Sequence, residues 1–137
     1  MVLLIEDDLM NIEAMRRLML QFNLELSWAT SGSVALQMIQ SRLDKADDPT
    51  NPAYMYRLIL CDYSMPGMNG LQTTQQIHQL LTNAPNNPPM PLLCCVTAYS
   101  APNFRKKALE GGFDDFITKP VFKDRLQAVI IEARIPL

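Results

Sequence analysis

At 137 residues the chain has room for one domain of ordinary size and little for a second folded unit. Its 48% hydrophobic and 19% charged residues can fill a core and exclude the composition of a disordered segment. A formal charge of −2 gives no general attraction to nucleic acid or to anionic membrane, so direct DNA binding and membrane contact are not expected.

The first element is the run Val2-Leu3-Leu4-Ile5, ended by Glu6, Asp7 and Asp8. Ile12, Met15, Met19 and Phe22 then recur at steps of three and four, which predicts a first helix that Asp8 can cap. Residues 24–29 read as a second strand, and Ala35, Ile39 and Leu43 as the apolar stripe of a second helix with Ser31 as its cap. A surface loop over 44–56 precedes the run Leu58-Ile59-Leu60-Cys61, which ends at Asp62.

Leu71, Thr74, Ile77 and Leu81 mark a third helix, followed by a loop rich in Asn and Pro over 82–91. Leu92-Leu93-Cys94-Cys95-Val96 is the next apolar run and ends at Thr97. Ser100 with Pro102 can open a fourth helix and Gly111-Gly112 can close it. Residues 113–118 read as a short fifth strand and 123–134, with Leu126, Val129, Ile130 and Ala133, as a last helix.

Unbroken apolar runs of this length suit strands buried on both faces. Five strand and helix pairs in alternation predict one α/β domain over 1–137, a doubly wound parallel sheet with right-handed crossovers and helices on both faces. In such sheets ligands bind at the carboxyl ends of the strands, where the strand order reverses. The polar residues that end the apolar runs should therefore converge.

Those residues are Glu6, Asp7 and Asp8, then Asp62, Thr97 and Lys119. Gathered carboxylates repel, each raising its neighbour's pKa unless a cation compensates. Mg²⁺ takes oxygen ligands, usually one or two carboxylates with waters and phosphate oxygens, so Glu6, Asp7 and Asp62 suit it. An aspartate so placed can act as a nucleophile toward a phosphoryl group while Lys119 supplies positive charge and the Thr97 hydroxyl donates to a phosphoryl oxygen. Taken singly the residues have plainer uses: Asp8 as a helix cap, Thr97 as a β-branched strand residue, Lys119 as a surface lysine. Asp62, directly after a buried run, is the hardest to explain that way.

The motifs Val2-Leu3-Leu4-Ile5-Glu6-Asp7-Asp8, Leu58 to Gly70 through Asp62-Tyr63-Ser64-Met65-Pro66-Gly67-Met68-Asn69, Val96-Thr97-Ala98, and Asp114-Asp115-Phe116-Ile117-Thr118-Lys119-Pro120 together resemble the response regulator receiver domains of two-component signalling. The resemblance covers essentially the whole chain and looks most like the receivers of hybrid sensor histidine kinases. It implies a flavodoxin-like sheet of order 2-1-3-4-5, phosphorylation of Asp62 by a phosphohistidine on a histidine kinase or histidine phosphotransfer protein, and slow hydrolysis of the product. It further implies Mg²⁺ on Glu6, Asp7, Asp62 and the backbone carbonyl of Ser64, and a switch made by Thr97 and Phe116 on the face of the fourth helix, fifth strand and fifth helix. By the same resemblance the Lys119-Pro120 bond is cis, Ser64 and Tyr99 set the phosphate lifetime, and a dimer formed on phosphorylation is left open. Phe116 stands where tyrosine is common, which keeps the packing and loses a hydroxyl.

Two other readings compete with the phosphorelay. A receiver-like docking module that no longer takes phosphate would not require the complete set of acids, Thr97 and Lys119. A phosphohydrolase of the haloacid-dehalogenase type shares the site chemistry but needs a second aspartate two residues after the nucleophile, where this chain has Ser64. Cys61, Cys94 and Cys95 lie in apolar runs without metal-ligand spacing and read as buried thiols of a reducing cytoplasm. His78 reads as a solvated helix residue, and Trp28 is either core or part of a partner surface. No apolar stretch approaches the roughly 20 residues of a membrane span, and the chain reads as a cytoplasmic domain excised from a larger sensor protein.

Overall fold

The computed structural model describes residues 1–48, 50–98 and 101–137. The strands are β1 (Val2–Ile5), β2 (Leu26–Ala29), β3 (Leu58–Asp62), β4 (Leu92–Thr97) and β5 (Asp115–Thr118). The helices are α1 (Leu9–Leu20), α2 (Gly32–Asp44), α3 (Gly70–Asn83), α4 (Pro102–Glu110) and α5 (Lys123–Glu132). All strand pairs are parallel, and the order across the five-stranded sheet is β2-β1-β3-β4-β5. The chain therefore folds as the doubly wound α/β sheet expected from its alternation.

The central strands are apolar up to their last residues because helices cover both faces, which forbids the polar alternation of a one-sided sheet. Leu3, Ile5, Ile59, Cys61, Leu93 and Cys95 point to one side and pack under α2, α3 and the inner face of α4. Val2, Leu4, Leu58, Leu60, Cys94 and Val96 point to the other, against Ile12, Met15 and Met19 of α1 and Leu126, Val129 and Ile130 of α5. Period-two alternation thus splits one sheet into two cores.

Side chains fix where the helices start. The Asp8 carboxylate accepts from the amides of Met10 and Asn11, Ser31 Oγ accepts from the Val34 amide, and Asn69 and Gln72 form a reciprocal capping box at the start of α3. α4 differs: Ala101 occupies its N-cap and offers no side-chain bond, while Pro102 sits in its first turn. Ser100, expected as that cap, lies outside the described residues, as does Tyr99. Gly111 forms the C-cap of α4 and Gly112 takes φ 115°, closing the helix as the glycine pair predicts.

The periodic reading overran several ends. β2 and β5 are shorter than 24–29 and 113–118, and α5 stops at Glu132 rather than 134. Phe22 lies past the end of α1 yet still packs on the α1–α5 core. The loop over 44–56 contains a short 3-10 helix, Pro52–Tyr54. No helix among the described residues is long and apolar enough to cross a membrane.

Leu93 is fully buried in β4 whereas Leu109 of α4 is 46% exposed. Leu93→Ala should cost about 2–5 kcal/mol of unfolding free energy, and Leu109→Ala should stay within about 0.5 kcal/mol, both read from urea unfolding curves.

Candidate functional site

The strand order reverses between β1 and β3, so the carboxyl ends of these strands and of β4 and β5 open onto one crevice. Glu6 follows β1, with its amide still bonded to Ala29 O at 3.0 Å. Asp62 is the last residue of β3 and Thr97 the last of β4. Lys119 follows β5, and its amide donates to Thr97 O at 2.7 Å, which sets the lysine beside the crevice. The Lys119-Pro120 bond that comes next is cis.

The side chains meet in a narrow arrangement. Lys119 Nζ lies 3.4 Å from Asp62 Oδ1 and 3.5 Å from Glu6 Oε2, with both carboxylates nearly buried and the lysine side chain 28% exposed. One ammonium thus serves two carboxylates, at ion-pair rather than short hydrogen-bond separations. Glu6 Oε1 also accepts from the Asp8 amide at 3.1 Å and from Asn11 Nδ2 at 3.4 Å. Burial is the largest influence on Glu6 and holds its carboxyl above the ordinary range, and the Asp62 charge adds to it; the Asp8 amide and Lys119 act in the opposite sense.

Glu6, Asp7 and Asp62 each offer a carboxylate oxygen, all within 4.8 Å of one another, with Asp7 exposed. Ligands of an octahedral Mg²⁺ at about 2.1 Å are at most about 4.2 Å apart. Three ligands of one ion cannot all lie opposite one another, and adjacent ones are only about 3 Å apart, so the oxygens must draw closer to share an ion. Three carboxylates beside a single lysine leave the negative excess that a hard cation neutralises. The donor set fits a divalent ion. Ser64 is exposed two residues beyond Asp62.

Two buried groups shape the floor. Gly70 donates its amide to Tyr63 O at 2.9 Å, and a Cβ there would lie 2.6 Å from Asp62 O and 2.8 Å from Tyr63 Cα. Only glycine lets α3 start this close to the backbone of Asp62, a role its position in the motif did not disclose. Thr97 is 1% exposed, and the thiols of Cys61, Cys94 and Cys95 are buried, with Cys95 pushed by burial to about 12. Such thiols are inert at neutral pH.

Farther from the crevice, Phe116 is 7% exposed and carries the guanidinium of Arg105 at 4.1 Å from its ring centroid. His78 corrects the expectation of a solvated residue: it is half-buried, and its Nε2 bonds the carbonyl of Gly112 at 2.9 Å, tying α3 to the turn after α4. Trp28 is 44% exposed on edge strand β2 and so belongs to the surface. Asn11, Tyr63 and Arg105 were not singled out in the sequence, since no periodicity links any of them to the residue it touches.

The sequence matches the family model described as response regulator receiver domain over residues 2–131. It is 31% identical over 129 residues to hybrid signal transduction histidine kinase I of Dictyostelium discoideum, covering 94% of this chain and 7% of that protein. It is 29% identical over 129 residues to histidine protein kinase 1 of Candida albicans, covering 94% of this chain and 5% of that one. The chain thus spans a small part of these relatives. The receiver domain of a Pseudomonas aeruginosa sensor histidine kinase, solved with a magnesium ion coordinated in its active site cleft, has the same fold, with TM-score 0.69, 21% identity, and coverage of 96% of this chain and 93% of that one.

Because the Glu6 carboxyl is raised by burial, ionising it costs folding free energy, and its stabilising share is complete below its ordinary pKa of 4.5 and lost as pH rises through the raised value. Without added metal, Glu6→Gln should be more stable than the parent at pH 7, with the difference fading as pH falls below about 4.5. Thermal unfolding across that range checks it.

Proposed function

The chain belongs to the response regulator receiver domain family of two-component signalling, and from that membership we propose that Asp62 is its phosphoacceptor. The observation that carries the reading is the Asp62 carboxylate itself: nearly buried at a strand end, 3.4 Å from Lys119 Nζ and beside the oxygens of Glu6 and Asp7.

In this reading an oxygen of Asp62 attacks the phosphorus of a phosphohistidine presented by a histidine kinase or histidine phosphotransfer protein. The new P–O bond forms as the P–N bond breaks, and the departing imidazole nitrogen takes up a proton. Lys119 balances charge on the transferring group, and the Thr97 hydroxyl donates to a phosphoryl oxygen once the group has arrived. Glu6, Asp7, Asp62 and the carbonyl of Ser64 would hold Mg²⁺, which when bound supplies positive charge against the phosphoryl oxygens. The metal-bearing cleft of the Pseudomonas relative supports that assignment.

The acyl phosphate then hydrolyses slowly, and before it does so the added charge redistributes the protein between two surfaces. We assign that change to Thr97 and Phe116 and to the face of α4, β5 and α5: phosphorylation draws the threonine inward and the Phe116 ring follows. Residues 1–137 act as one domain, in the cytoplasm, within a longer signalling protein of the kind its relatives represent.

Intact mass after incubation with acetyl phosphate and Mg²⁺ tests this reading. One phosphoryl adduct is expected on the parent chain and none on Asp62→Asn or with a chelator present. A folded parent chain that takes no adduct would leave the phosphorylation-independent docking module in its place.

A further inference from the structure

Helix α4 is held differently at its two ends. At the C-terminal end Ala108 is buried, the Phe113 amide donates to Ala108 O at 3.1 Å, and the His78 ring bonds the carbonyl of Gly112 at 2.9 Å. Ala108 is the helix's one buried residue, and among the described residues its N-terminus has no side-chain cap. Two adjacent side chains of the first turn reach other elements. Phe104 meets Tyr63, the residue after Asp62, edge to face with centroids 4.6 Å apart. Arg105 lies over Phe116, its guanidinium carbon 4.1 Å from the ring centroid.

Tyr63 is fixed on the other side, its amide donating to Val96 O at 3.1 Å and its carbonyl accepting from Gly70 at 2.9 Å. The first turn of α4 is therefore pinned to the backbone beside the acceptor through Phe104 and to β5 through Arg105. Arg105 is exposed, and among the described residues no carboxylate lies within ion-pair distance of it. The ring is its partner, the cation being drawn to the negative face of the ring and the contact holding the two together.

We propose that Arg105 is a positioning residue that closes over Phe116 and holds the ring inward without a phosphoryl group, so that the switch is set in advance toward its signalling position. The phenylalanine suits this role because, unlike tyrosine, it has no hydroxyl to draw the ring back to water. α4 then acts as a lever, anchored at Gly111 and Gly112 and latched at its first turn by Phe104 and Arg105. The setting of the switch rests on the receiver reading; the latch itself does not.

Linkage makes the latch measurable at the acceptor: if Arg105 favours the state that binds a phosphoryl group, removing it must weaken that binding, by at most the factor that Arg105 contributes to the equilibrium. The comparison uses Arg105→Met, which keeps the stem and loses the charge, and Arg105→Lys, which keeps a cation. Titration with beryllofluoride and Mg²⁺ should show a higher half-saturating concentration in Arg105→Met, by no more than the roughly two- to five-fold that an exposed cation–π contact is worth. Arg105→Lys should stay near the parent, and in a Phe116→Leu background Arg105→Met should have no further effect.

A second arm needs no phosphoryl group: the amides of Arg105, Lys106 and Lys107 should exchange hydrogen faster in Arg105→Met than in the parent. Unchanged exchange overturns the latch. A shift in beryllofluoride binding that persists undiminished without the Phe116 ring, or no shift at all, overturns the advance setting. If the parent binds no beryllofluoride, the receiver reading fails and the advance setting with it, while the exchange arm still decides the latch.

Discussion

One lysine shared between two buried carboxylates is the interaction on which the rest of this site depends. Lys119 stands 3.4 Å from Asp62 and 3.5 Å from Glu6, and neither acid has water enough around it to carry its charge cheaply. A buried pair of like charges with half the compensation it needs is a poor structural element. It suits a binding site, because a group that brings positive charge is held there.

The sheet makes that concentration of charge possible. Parallel strands deliver Glu6, Asp62, Thr97 and Lys119 to one edge, and the glycine at 70 lets α3 begin against the backbone of Asp62 without prising the strand end away. The two cores under the sheet are rigid and apolar, so the carboxylates cannot relax inward. α4 is the contrasting part, with one buried residue, no side-chain cap among the described residues, and two ring contacts, Phe104 to Tyr63 and Arg105 to Phe116. A stiff site beside a lightly held helix is what a charge-driven switch requires.

The sheet and the convergence of charge at its edge are legible in the sequence. The central strands announced themselves because burial on both faces leaves no polar position, and Asp8 and Ser31 because a cap is a local event with a local residue preference. The ends of β2, β5 and α5 were overrun because apolar residues continue past the last backbone bond to pack on the core, as Phe22 also does after α1. The tether of His78 to Gly112, 34 residues away, and the pairs Tyr63 with Phe104 and Arg105 with Phe116 were not legible, since each joins side chains that only the completed sheet brings together. The convergence of the acids and Lys119 was legible for the opposite reason: alternation fixes where every strand ends.

The central claim is that the phosphoryl group resides on the carboxylate of residue 62, and chemical trapping tests it most directly. Borohydride reduction of the phosphorylated chain, followed by peptide sequencing in the mass spectrometer, converts an aspartyl phosphate to homoserine at its own position. Homoserine at position 62 alone is the predicted result; a modification at Asp7, a phosphate retained on His78, or an unreduced peptide over β3 from a phosphorylated sample would contradict it.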